Sequence, residues 1–106
     1  MTSIKLSVPM CATLYLLKDG PKKMYELAKK YNIKRDTMYR MEHRGLITIT
    51  RQKPKTLYLT DLGKQILEKN MDTCKEAFET LRACREEFKP GTCSKVHYAY
   101  IIVPLP

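Results

Sequence analysis

The chain lacks the runs and motifs that mark several protein classes. No stretch approaches the ~18 uninterrupted apolar residues of a membrane span. Its start does not read as a signal peptide, because Lys5 is followed by Leu6-Ser7-Val8-Pro9 and not by a long apolar run. There are no internal repeats and no low-complexity segments. Histidine occurs twice, at His43 and His97, in no nucleophile or metal motif, and no glycine-rich phosphate loop is present. Cys11, Cys74, Cys84 and Cys93 form no Cys-x-x-Cys pair, and their spacing does not suit a compact zinc site. These absences lead to the expectation of a soluble, intracellular, cytoplasmic protein that is not an enzyme and carries no metal or cofactor.

What is present points to a small globular domain. The apolar fraction of 43% excludes global disorder, and 106 residues give room for one domain plus an extra element. A chain this small leaves much surface exposed, so a core extended by pairing would help it. The formal charge of +9 is unevenly placed. Residues 1–60 hold 13 Lys+Arg against 4 Asp+Glu, a net of +9, while residues 61–106 hold 7 of each, a net of 0. A positive field over one part of the surface attracts polyanions and releases their counterions on binding. A solvated, lysine-rich surface that aids solubility is the simpler explanation of the same charge.

The hydrophobic period predicts a mainly α chain with a small β-hairpin. Ser7 as N-cap with Pro9 in the first turn opens a helix, along which Val8, Cys11, Leu14, Tyr15 and Lys18 recur at three-and-four spacing. Asp19-Gly20-Pro21 closes it. A second helix is predicted from about Lys22 to Tyr31, ended by Asn32, and a third from about Lys34 to Arg44, stopped by Gly45. The period then changes to alternation through Ile47, Ile49 and Arg51. Gln52-Lys53-Pro54-Lys55 makes a basic turn, and Thr56–Leu59 returns as a strand. Thr60 or Asp61 then caps a helix predicted to run to about Lys89, roughly 43 Å at 1.5 Å per residue. Residues 96–103 read as a final strand or extended arm.

Helix, helix, helix, hairpin, helix is the order of a winged helix-turn-helix. Glu26-Leu27-Ala28-Lys29-Lys30-Tyr31-Asn32-Ile33, continuing to Arg44-Gly45-Leu46-Ile47, resembles bacterial and archaeal winged-helix regulators. Thr60-Asp61-Leu62-Gly63-Lys64-Gln65-Ile66-Leu67 is similar to the opening of the helix after the wing in MarR- and PadR-like proteins. The resemblance covers about residues 7–70. It departs at one place: Ile33 lies only 12 positions before Gly45, so the third helix is about one turn short and looks more like a MerR-type recognition helix. MerR-like proteins, however, lack a helix equivalent to residues 7–18.

The resemblance implies a DNA-binding region at 1–60, with the third helix in the major groove and the hairpin on backbone or minor groove. With Met38 and Met41 facing the core, Arg35, Asp36, Tyr39, Arg40 and His43 lie largely on the opposite face. Arg35 and Arg40 suit guanine edges or phosphates, and Tyr39 a phosphate or a thymine methyl. Asp36 either favours the positive helix N-terminus or accepts from cytosine N4. Arg51, Lys53 and Lys55 at the wing suit phosphate, with Lys22, Lys23 and Lys34 as further backbone contacts.

Residues 61–106 read as a dimerisation helix and arm. Leu67, Met71, Cys74, Phe78, Leu81 and Phe88 follow a heptad-like seam interrupted by Arg85, expected to bury itself against a second copy. The alternative is that the C-terminal strand folds back over it, with Tyr98 and Tyr100 packed on the helix. Cys84 with Cys93 across Pro90-Gly91, or Cys74 with its dimer mate, are the disulfides considered; four reduced, mostly buried cysteines are the alternative. The function expected is sequence-specific binding of double-stranded DNA by a homodimeric transcriptional regulator. A protein-interaction adaptor or a redox- or ligand-responsive sensor are the competing classes.

Overall fold

In the computed structural model, residues 3–87 and 100–106 are described. In chain order the elements are β1 (Ser3–Ser7), α1 (Val8–Leu16), β2 (Lys22–Lys23), α2 (Met24–Tyr31), α3 (Arg35–His43), β3 (Ile47–Ile49), β4 (Thr56–Leu59), α4 (Asp61–Lys69), α5 (Met71–Glu87) and β5 (Tyr100–Pro104). The chain is thus a mixed helix-and-strand fold with two small antiparallel sheets, one pairing β1 with β5 and one ordered β2-β4-β3.

The first helix starts as its sequence dictates. The Ser7 hydroxyl accepts from the Met10 N–H at 3.3 Å, and Pro9 occupies the first turn, where its missing N–H costs nothing. Its burial goes beyond a stripe: every residue from Val8 to Leu14 is buried. Residues 8–17 carry no charge, and a helix apolar on all sides belongs in a core. α5 covers one side of it, while α3, α4, β1 and β5 touch the others. Thr13 is the polar exception, and its hydroxyl donates to the Pro9 carbonyl at 2.7 Å. Fully burying a side chain such as Leu14 contributes about 1.5–3 kcal/mol, so α1 is the main anchor of the fold.

Two caps set the next helices. Asn32 ends α2 in the left-handed conformation at φ 56, and its own N–H and that of Ile33 both reach the Leu27 carbonyl. α3 ends in a Schellman turn: Gly45 has φ 78 and donates to Glu42 O at 2.9 Å, and Leu46 donates to Met41 O at 3.0 Å. The hairpin then pairs Ile47 with Leu59 and Ile49 with Leu57, and the Ile49 N–H is also taken by the Glu42 carboxylate at 2.9 Å.

The stretches Arg44–Ile47 and Thr60–Leu67 hold each other. Thr60 caps α4 by accepting from Gly63 N at 3.0 Å, while its hydroxyl donates to Gly45 O at 2.6 Å and its N–H to Leu46 O at 3.2 Å. Gly63 packs so closely that a Cβ there would lie 2.1 Å from the Leu46 carbonyl oxygen. Any side chain at 63 would push α4 off the start of β3.

Four expectations are corrected. The helix after the hairpin is not continuous: Asn70, at φ −123 and ψ 33, separates α4 from α5. Its side-chain amide donates to Ile66 O at 3.0 Å and to Pro104 O at 3.1 Å, tying the bend to β5. Second, the seam of Leu67, Met71, Cys74, Phe78 and Leu81 is covered within the chain, chiefly by α1. Leu67, Cys74 and Leu81 are buried, and the Phe78 ring lies 5.3 Å from that of Tyr15 and 5.7 Å from that of Tyr31. Met71 and Phe78 are partly buried, so most of this seam is used within the chain. Third, Cys74 meets Cys11 of its own chain. Fourth, Tyr100 does not pack on the helix but stands more than half exposed on β5. Phe88, Cys93, His97, Tyr98 and the end of the predicted helix at Lys89 lie outside the described residues, as does the Cys84–Cys93 pairing.

Two strands went unanticipated. β1 pairs with β5 over five positions, from Ser3 opposite Pro104 to Ser7 opposite Tyr100. Leu6 and Val103 turn inward and are buried, whereas Ile102 on the opposite face is 69% exposed. The Arg44 guanidinium donates to the Lys5 carbonyl, fastening β1 to the end of α3. β2, only two residues long, adds to the hairpin by pairing Lys22 with Leu57 and Lys23 with Thr56. The core is one cluster that draws on both halves of the chain, from Leu6 to Val103. The division at residue 60 is thus one of surface charge and not of core.

Candidate nucleic-acid interface

The exposed face of α3 follows from what its other face buries. Met38 and Met41 are fully buried. Arg35, Asp36, Tyr39, Arg40 and His43 are all exposed, and Lys34, just before the helix, is exposed as well. The sequence-predicted side chains on α3 are therefore brought together on one surface.

That surface is partly pre-arranged. Arg40 pairs with Asp36 one turn earlier at 3.1 Å, with both side chains well exposed. An exposed pair of this kind contributes little stability, roughly 0.3–0.5 kcal/mol, but it limits where the guanidinium points. Asp36 thus has two local roles, in the first turn of α3 and as the partner of Arg40.

The hairpin tip sits beside the helix. The Lys55 ammonium donates to the Tyr39 hydroxyl at 2.8 Å and lies 5.5 Å from the centre of that ring. This contact joins β4's approach to the exposed face of α3. The turn itself is held by backbone and threonine bonds: Thr50 N donates to Thr56 O at 3.0 Å, and Thr56 N to the Thr50 hydroxyl at 2.9 Å. Arg51 and Lys53 are exposed at the tip, while Lys55 is half-buried.

Between the hairpin tip and the helices lies a cleft of ≈ 490 Å³ lined by Met24, Tyr25, Arg35, Lys53, Pro54 and Lys55. Tyr25 is half exposed there, with Lys23 5.9 Å from its ring centre. Tyr25 escaped the sequence reading, because helix periodicity alone does not say that β2 will swing the start of α2 against the hairpin. The bond from Met24 N to Lys55 O at 2.8 Å is what brings them together. An available signal was the basic pair Lys22-Lys23, two residues before an aromatic one.

Chemically, the surface offers ammonium and guanidinium donors, two tyrosines and one already paired carboxylate. Such groups hold anionic oxygens and stack or pack against planar rings. No helix among the described residues is long and apolar enough to cross a membrane. No protein family, curated protein sequence or solved structure matches the chain.

Proposed function

We propose that this chain is a winged helix-turn-helix protein that binds double-stranded DNA, entering the major groove with α3 and touching the backbone with the β3–β4 wing. The observation that carries this reading is the convergence of Arg35, Tyr39, Arg40, Lys53 and Lys55 on one surface, opposite the buried Met38 and Met41. The short third strand β2, added beside the hairpin, and the confinement of the net charge to residues 1–60 support it further. Bound at a promoter, such a protein regulates transcription by occluding the site.

In this reading Arg35 and Arg40 read base edges or clamp phosphates, and Arg51, Lys53 and Lys55 neutralise phosphates. The heptad seam no longer argues for a second copy, since α1 covers it. Selection of bound sequences from random duplex DNA reads both the preferred site and whether it is single or a spaced pair.

The direct test is a salt titration of duplex binding by the native chain and by Arg35→Ala, Arg40→Ala and Lys53→Ala. Each lost phosphate contact lowers the slope of log affinity against log salt by about one. Binding that is undetectable at low salt, or that is unchanged in all three variants, overturns the reading.

A further inference from the structure

We infer that Cys11 and Cys74 are the partners of an intramolecular disulfide that staples α1 to α5. The inference stands on the packing alone and is independent of the DNA-binding reading. The two residues are 63 positions apart in sequence, on helices whose contact is the most extensive among the described elements. That contact brings their sulfurs to 2.8 Å, within about an ångström of the ~2.05 Å of a bonded pair. Both side chains are fully buried, and among the described residues neither sulfur has a side-chain hydrogen-bond partner other than its mate.

The surroundings leave this pairing as the natural chemistry of the two thiols. No group of three His, Cys, Asp or Glu side chains converges among the described residues, so the pair is not half of a metal cluster there. The two sulfurs differ in acidity. The hydrogen bond they share, in which either thiol can donate, pushes Cys11 well above the usual thiol range together with burial and the neighbouring sulfur, and holds Cys74 below it.

The oxidant is a low-molecular-weight disulfide. The thiolate of one cysteine attacks one sulfur of that disulfide, forming a mixed disulfide and releasing one small thiol. The other cysteine then loses its proton, attacks the sulfur of the first and displaces the second small thiol. Two protein thiols are oxidised and one small disulfide is reduced to two thiols. Because both cysteines are buried, the exchange takes place on the folding or locally opened chain. The closed loop spans α2, α3, the hairpin and α4, so the bond constrains the unfolded form of most of the basic region.

The test uses the chain with Cys84→Ser and Cys93→Ser, equilibrated by refolding in oxidised glutathione or in dithiothreitol. The oxidised sample is expected to show a mass lower by two hydrogens and no alkylatable thiol in denaturant. A single Cys11–Cys74 linked peptide is expected in a non-reducing digest. It should melt about 10 °C or more above the reduced sample, and Cys11→Ala/Cys74→Ala on the same background should abolish that difference. Two alkylatable thiols after oxidation, glutathione left on both cysteines, bonds only between chains, or an oxidised form melting no higher than the reduced one each overturn the inference. Should the serine variant fail to fold, non-reducing peptide mapping of the native chain after thiol blocking decides the same question. A Cys11–Cys74 peptide supports the inference, and any other state of either residue overturns it.

Discussion

The α1–α5 pair and the α3–hairpin unit share one core but use their side chains in opposite ways. Along α1, seven successive residues are buried, and α5 answers with Cys74, Ala77 and Leu81, all withdrawn from water. Along α3 only Met38 and Met41 are buried, and the remaining face is left to arginine, tyrosine, histidine and an aspartate. The first region is held by apolar area and tolerates no vacancy. The second is held by few anchors and by backbone caps, so its surface can change without collapsing the fold. A molecule built this way separates the residues that keep it folded from those left on its surface.

The sharpest break of that comparison lies at Leu81. Leu81→Ala is expected to cost about 2–5 kcal/mol of unfolding free energy in denaturant titration, from lost burial and the cavity left behind. The loss should be the same at low and high protein concentration, because α1 fills the seam from within the chain. A loss that depends on concentration would instead put the seam between two copies.

Next is Gly63, where α4 meets the start of β3. Gly63→Ala forces a methyl group against the Leu46 carbonyl and is expected to cost ~2–3 kcal/mol, read by thermal melting. Native stability in this variant would mean that α4 shifts freely against that strand. On the exposed side, Arg35→Ala should weaken duplex binding by about 1–3 kcal/mol while leaving the melting temperature almost unchanged. A fall in stability of similar size would show that the charged face also holds the fold.

Smaller effects sharpen the contrast further. Thr60→Ala removes the cap on α4 and the bond to the Gly45 carbonyl, for about 1 kcal/mol of stability and no direct loss of DNA contact. Asp36→Asn should change stability by only a few tenths of a kcal/mol, since its pair with Arg40 is exposed. It should tighten duplex binding slightly by removing a negative charge beside the arginines. Weaker binding by this variant would assign Asp36 to base reading or to aiming Arg40.

Local signals were legible wherever one residue type answers one backbone need. Ser7 and Thr60 as caps, Asn32 and Gly45 as left-handed stops, and the alternation through Ile47 and Ile49 all stand in the structure near their predicted places. The exposure of Arg35, Tyr39 and Arg40 followed from the spacing of Met38 and Met41. The break at Asn70 was less legible, because the apolar spacing of Leu67, Met71 and Cys74 runs straight through it. At that break the Asn70 amide reaches the Pro104 carbonyl, a partner supplied from the far end of the chain.

The sequence by itself determined the helix order, the hairpin, the caps and the face of α3 that meets solvent, because each depends on neighbours within a few positions. Tertiary structure alone decided what covers the α5 seam, where Tyr25 stands, which strand pairs with β5 and which cysteine faces Cys74. An apolar stripe states that it must be buried but not against what, since burial is non-directional and any apolar surface satisfies it. The partner is chosen by the packing of distant segments, and here α1, within the uncharged stretch from residue 8 to 17, fills the place that a second copy was expected to take.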